Sequence, residues 1–143
     1  MTKTTKKTSP EEMQQKYMHF QMLQEQIEKI AEQATYLNQR NMDLENTNEA
    51  LKELAKTKLE TEILAPVAEG IFFRSSLKDN QKLIVSVGAN TTVEKSISET
   101  LEMLSEQKNE LTLKIMEAES VMQEMQQQAM KLYQEIEEHV QQA

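Results

Sequence analysis

Two long stretches of this chain space their apolar residues alternately three and four apart. Between them lies a short stretch in which apolar residues recur every second position. In the first long stretch one set runs Met13, Phe20, Ile27, Ala34, Asn41, Asn48, Ala55, and a second runs Leu23, Ile30, Leu37, Leu44, Leu51. These are the a and d positions of a heptad, the mark of a helix that buries a narrow stripe against another helix. Ser9-Pro10-Glu11-Glu12 reads as its start: Ser9 caps, Pro10 suits the first helical position, and Glu12 completes a capping box. Neither Gly nor Pro falls between Pro10 and Pro66. The pattern predicts a helix over residues 10–62, roughly 75 Å long at ~1.5 Å per residue.

The second long stretch opens on another capping box, Ser96-Ile97-Ser98-Glu99. Its seam sets are Ile97, Leu104, Leu111, Ala118, Met125, Leu132, His139 and Leu101, Lys108, Ile115, Met122, Ala129, Ile136, Ala143. A helix over residues 96–142 follows. Two seams of equal length are expected to fold back on each other as an antiparallel hairpin, since a partner in the same chain has the higher effective concentration. The alternative is that each finds a helix in another chain. Folding back brings Asn48 within about a turn of Lys108, a buried polar level that favours one alignment over its neighbours. It also brings residues 13–20 near residues 132–140, at an end with no covering loop.

Between the helices every remaining Gly and Pro of the chain (Pro66, Gly70, Gly88) breaks the helical pattern. Ile63, Ala65 and Val67 alternate, Glu69-Gly70 turns, and residues 71–77 form a second strand. Lys78-Asp79-Asn80 turns again, residues 82–87 form a third strand, and residues 91–95 after Gly88-Ala89-Asn90 a fourth. Two isolated hairpins are marginal in water. The apolar faces carrying Ile71, Phe73, Leu77 and Leu83, Val85, Val87 therefore need a further surface. The economical expectation is that they join strands of other subunits.

Composition narrows the class. Of 143 residues 38% are hydrophobic and 4% aromatic, with no Trp, which is thin for a globule but sufficient for a long seam. There are 24 acidic and 16 basic residues, a net charge of -8, and Lys3, Lys6 and Lys7 stand at one end, so the body is more acidic still. That argues against nucleic acid as a partner. Residues 1–9 are expected to be a disordered basic tail without the apolar core of a signal peptide, and residues 10–143 a single domain. No run approaches the ~20 apolar residues of a membrane span, so no membrane partner is expected. The absence of Cys suits a reducing cytoplasm. No nucleophile–base set, phosphate-binding glycine loop or metal-ligand spacing is present, so no enzymatic activity and no cofactor is expected.

The stretch Leu64-Ala65-Pro66-Val67, then Phe73, Leu77-Lys78-Asp79, Val85-Ser86-Val87-Gly88-Ala89 and Val93-Glu94-Lys95-Ser96 resembles the core of the prefoldin alpha class. Four strands, where the beta class has one hairpin, point the same way. Ala68-Glu69-Gly70 departs from the smaller, more glycine-rich turn of that class. The resemblance covers the chain from about Met13 to Val140. It implies a mainly α fold: a long antiparallel coiled-coil hairpin with two inserted β-hairpins whose strands join an oligomeric β-barrel platform. It further implies a hexamer of two alpha and four beta subunits. Such a particle holds unfolded proteins between its coiled-coil tips without ATP and passes them to a group II chaperonin.

Residue chemistry supports one part of that expectation independently. Met13, Met18, Met22, Met116, Met122, Met125 and Met130 concentrate towards the open end of the expected hairpin. Tyr17, Met18, Met22, Met130, Tyr133 and Val140 lie off the a/d seam there. Flexible, polarisable Met suits a surface that binds many partners, so these six are candidates for client binding. The plainer account is that seam Met residues are core and off-seam ones tolerated surface. His19 and His139 share that end but lack a carboxylate partner at helical spacing, so chance placement is the simpler account. The acidic residues Glu135, Glu137 and Glu138 form a solvated face, or alternatively meet a basic chaperonin surface. A purely architectural spacer is the competing function; it is expected to close its free end with polar caps, not with Met, Tyr and Phe.

Overall fold

The computed structural model describes residues 9–141, in the order α1 (Pro10–Lys56), β1 (Glu62–Ala68), β2 (Ile71–Ser76), β3 (Lys82–Gly88), β4 (Thr91–Ser96) and α2 (Ile97–Gln141). Most of the expected basic tail, residues 1–8, and the last two residues of the chain lie outside the described residues. Both helix starts are capped as the sequence predicts. The Glu12 N–H donates to Ser9 Oγ at 3.2 Å, and the Glu99 N–H to Ser96 Oγ at 3.0 Å. Each cap satisfies one of the amide donors that a helix start leaves open. Every a and d residue of both seams within the described residues is buried or half-buried. The heptad pattern is thus the burial pattern.

The described residues pack as two compact units. One is built from the chain up to Gln39 and from Leu113 onward, the other from Arg40–Thr112. In the first, α1 and α2 pair antiparallel: Lys16 meets Glu135 at 3.1 Å, and the rings of Phe20 and Tyr133 tilt together at 6.0 Å between centroids. Leu23, Ala34, Leu37, Ile115 and Ala129 are its most buried apolar residues. In the second, Lys108 on the α2 seam donates to the Glu45 carboxylate, and Asn48 and Ser105 line the same small cavity beside them. The expected polar level exists, with Glu45, one turn before Asn48, as the partner that Lys108 takes.

The Lys108 ammonium holds the Glu45 carboxyl below its ordinary range, chiefly through the hydrogen bond and then through charge. A carboxyl depressed by folding contributes stability above its unfolded pKa. That contribution is lost as pH falls through the depressed, folded value. The thermal midpoint is expected to drop on acidification through this range, and Lys108→Gln is expected to flatten that part of the profile. Circular dichroism melts across pH check this; parallel profiles for parent and variant contradict it.

α1 stops at Lys56, earlier than the predicted end near Glu62. The reason is tertiary. Asn80 Nδ2 donates to the Thr57 carbonyl at 2.8 Å, and the Glu60 N–H, with Glu60 in the left-handed region at φ 69°, donates to the Leu77 carbonyl at 2.7 Å. The Leu77 N–H returns a bond to the Thr61 carbonyl at 3.0 Å. The segment joining the two hairpins therefore takes backbone groups that a longer helix would have used internally. Asp79 holds this segment in turn, its Oδ1 accepting from the amides of Gln81 at 2.8 Å and Lys82 at 3.1 Å. These bonds to the charged form lower the Asp79 pKa.

β1 pairs antiparallel with β2, and β3 with β4, as two separate two-stranded sheets. Each register shifts just before its turn, between Pro66 and Ala68 and between Ser86 and Gly88, a bulge that adds twist. The second turn places Ala89 at φ 49° and Asn90 at φ 59°, the two positive values of a type I′ turn. Ala carries a Cβ penalty there that Gly does not. Ala89→Gly is expected to raise stability by about 0.5–1 kcal/mol, net of the added freedom of the unfolded chain. A lower denaturation midpoint in the variant contradicts this.

Candidate functional site

Two surfaces carry apolar side chains that stand exposed among the described residues. The first lies in the unit formed by the outer parts of α1 and α2. All six residues expected there are exposed: Tyr17, Met18, Met22, Met130, Tyr133 and Val140, from 52% for Tyr17 to 66% for Met130 and Val140. They are not one continuous set. Heptad counting from the seam puts Tyr17, Tyr133 and Val140 at e positions, immediately beside the buried stripe, while Met18, Met22 and Met130 occupy c, f or b positions further round. Tyr133 is also anchored, because its ring leans on the seam ring of Phe20. Lys16 and Glu135 form an ion pair beside this contact, so Glu135 is engaged while Glu137 and Glu138 remain exposed. The exposed Tyr36, Leu113 and Met116 extend the apolar surface of this unit beyond the expected six. Met116 is one of the methionines that concentrate there in the sequence, whereas the signal for Tyr36 and Leu113 was weak: isolated apolar residues at outer heptad positions look like tolerated surface.

The second surface is the pair of β-hairpins. Cross-strand partners share a face, so Ile63, Ala65, Ile71 and Phe73 stand on one side of the first sheet and Leu64, Pro66 and Phe72 on the other. Both sides are open, with Phe73 51% and Phe72 55% exposed. In the second sheet Leu83 and Val85 are half-buried and share a face with Val93, whereas Ile84 points the other way and is 73% exposed. Of the residues expected at an assembly surface, Ile71, Phe73 and Val87 are exposed and Leu83 and Val85 half-covered. Leu77 is a correction. It is buried within the chain, at 8% exposure, because its backbone ties the hairpin connection to the end of α1. Leu64, Val67, Phe72 and Ile84 are exposed as well but were not among the expected residues, although the unbroken apolar runs at residues 63–68, 71–73 and 83–85 show that the apolar positions there are not confined to one face.

Among the described residues no group of His, Asp and Glu is placed to hold a metal, and no helix is long and apolar enough to cross a membrane.

Comparison with known proteins agrees with this layout. The family model for the prefoldin subunit matches residues 23–142. The prefoldin subunit alpha of Pyrococcus horikoshii is 32% identical over 100 residues, taking in 69% of this chain and 68% of that one. The prefoldin subunit alpha of Thermofilum pendens is 41% identical over 63 residues, 44% of this chain. There the match spans about half, 49%, of the relative's length. A filamentous PFD of Methanocaldococcus jannaschii, solved by cryo-electron microscopy, shares the fold at a TM-score of 0.62 over 89% of this chain and 99% of that one, with 21% identity.

The family model takes in most of this layout of two long helices joined through paired hairpins, and the chain belongs to the prefoldin family. Within the family it is an alpha-class subunit, as its curated relatives and its four strands both indicate.

Proposed function

We propose that this chain is the alpha subunit of an ATP-independent holdase. It assembles in the cytoplasm through its hairpins with beta-class subunits, as two alpha and four beta chains. It binds unfolded polypeptides with the exposed residues of the outer helical unit and delivers them to a group II chaperonin. The observation that carries this reading is the exposure of Tyr17, Met18, Met22, Met130, Tyr133 and Val140. A structural spacer gains nothing from open Met and Tyr, whereas a surface for many unlike sequences needs side chains that adapt. The area on one chain is small. At ~25 cal/mol per Å² before ordering costs it gives weak binding, so several subunits acting together supply the grip. The exposed Glu137 and Glu138 are a candidate contact for a basic chaperonin surface.

The test is nucleotide-free protection. The chain assembled with a beta-class partner is expected to suppress aggregation of a chemically denatured, unrelated protein. Release of that protein is expected on addition of a group II chaperonin. Aggregation as fast as in buffer supports the spacer instead.

A further inference from the structure

The outer helical unit has two unlike flanks. Heptad counting places the e residues of both helices along one side of the seam and the g residues along the other. On the e side, Ile27 and Ala129 floor an open groove of about 630 Å³, rimmed by Gln24, Glu28, Gln126 and Met130. Ala129 is a seam residue, 7% exposed, and its short side chain leaves the space beside Ile27 open. Carboxamides dominate the rim, Glu28 is its one charge, and no cation lines it. The groove on the g side differs: Lys114 and Glu117 both stand on its edge.

We propose that the e-side groove is where this subunit grips its client, and that it selects an extended segment in which an apolar side chain is flanked by basic residues. The proposal rests on the capture function argued above and adds the site and the chemistry of what it takes. The floor is apolar, so an aliphatic or aromatic side chain is the part of the client that gains by entering. Met130 stands beside the floor and adjusts to side chains of different shape. Gln24 and Gln126 offer both donors and acceptors to a backbone that has no hydrogen-bond partners of its own. With Glu28 as the sole rim charge and an acidic chain around it, Lys or Arg beside the apolar residue is attracted and Asp or Glu is repelled. Tyr17 and Tyr133, also at e positions, lie on the same flank, whereas Met22 does not.

Short fluorescent peptides test this on the full chain assembled with a beta-class partner. One alternates Leu with Lys, one Leu with Glu and one Leu with Ser. At low salt the Leu–Lys peptide is expected to bind about tenfold more tightly than the Leu–Glu peptide, a gap that narrows as salt screens it. Gln24→Lys combined with Gln126→Lys is expected to abolish that preference while leaving helicity unchanged. The g-flank pair Gln26→Lys with Gln33→Lys is expected to leave it within about twofold, because those charges lie across the seam. Equal binding of the three peptides, no binding of any, or equal loss in both Lys pairs overturns the groove assignment. If the parent still suppresses aggregation in those cases, the capture function stands without it. A parent that fails to suppress aggregation removes the capture function itself, and the groove assignment with it.

Discussion

Phe73→Asp combined with Ile84→Asp is expected to reduce the assembled particle to smaller species while the chain keeps its helical content. The two residues stand on different hairpins, 51% and 73% exposed, and neither belongs to the seam. Covering an apolar side chain of this size is worth about 1.5–3 kcal/mol. A carboxylate in the same place adds a desolvation cost of several kcal/mol that no partner there is known to offset. Each substitution therefore weakens association by at least a hundredfold, in the order-of-magnitude sense that ~1.4 kcal/mol is a factor of ten. Val85 is the poorer choice for this test. It is half-buried against its own chain, so Val85→Asp confounds assembly with folding. Light scattering with far-ultraviolet circular dichroism reads both quantities. An unchanged particle mass places the assembly contacts elsewhere.

Replacing Tyr17, Met18, Met130 and Tyr133 together by Ser is expected to remove most of the aggregation suppression and to leave particle mass intact. These side chains are exposed, so their loss opens no cavity in the seam. Tyr133 is the partial exception, because it rests on Phe20 at 6.0 Å and an aromatic contact of this kind contributes about 0.5–1.5 kcal/mol. A parallel variant that retains Tyr133 separates that loss from the loss of capture. Phe20 and Ile136 are unsuitable targets, since both belong to the seam that holds the two helices together. A four-Ser chain that protects as well as the parent moves capture to the partner subunits.

The seam was legible because period and burial have the same physical cause. A residue at an a or d position faces the other helix whatever its neighbours do, so the two seams read from sequence are the two buried stripes. The turns were equally local, since Gly70 and the Gly88-Ala89-Asn90 run announce positive φ directly. The end of α1 was not legible. Residues 57–62 have no strong breaker, and what stops the helix is a set of hydrogen bonds from Leu77 and Asn80, far along the chain. Leu77 misled for the same reason: alternation assigns it to a strand face, while its backbone contacts draw it inside. Ile84 and Phe72 were missed because a period of two sorts residues into an inner and an outer face. In these two ribbons both faces carry exposed apolar side chains, so that sorting leaves half of them out.

The open hairpins also govern how such a chain must be produced. Two-stranded ribbons have unpaired edges on both sides, and these also carry apolar residues on exposed faces. Such edges template pairing with any neighbouring strand, and Pro66 blunts only part of one of them. A copy synthesised without its partners is therefore itself a candidate for misassembly, with the properties of the molecules it is proposed to rescue. If the hairpins assemble with partner subunits as proposed, supply of this subunit is expected to be matched to theirs, and a surplus to be degraded or to accumulate as an insoluble deposit.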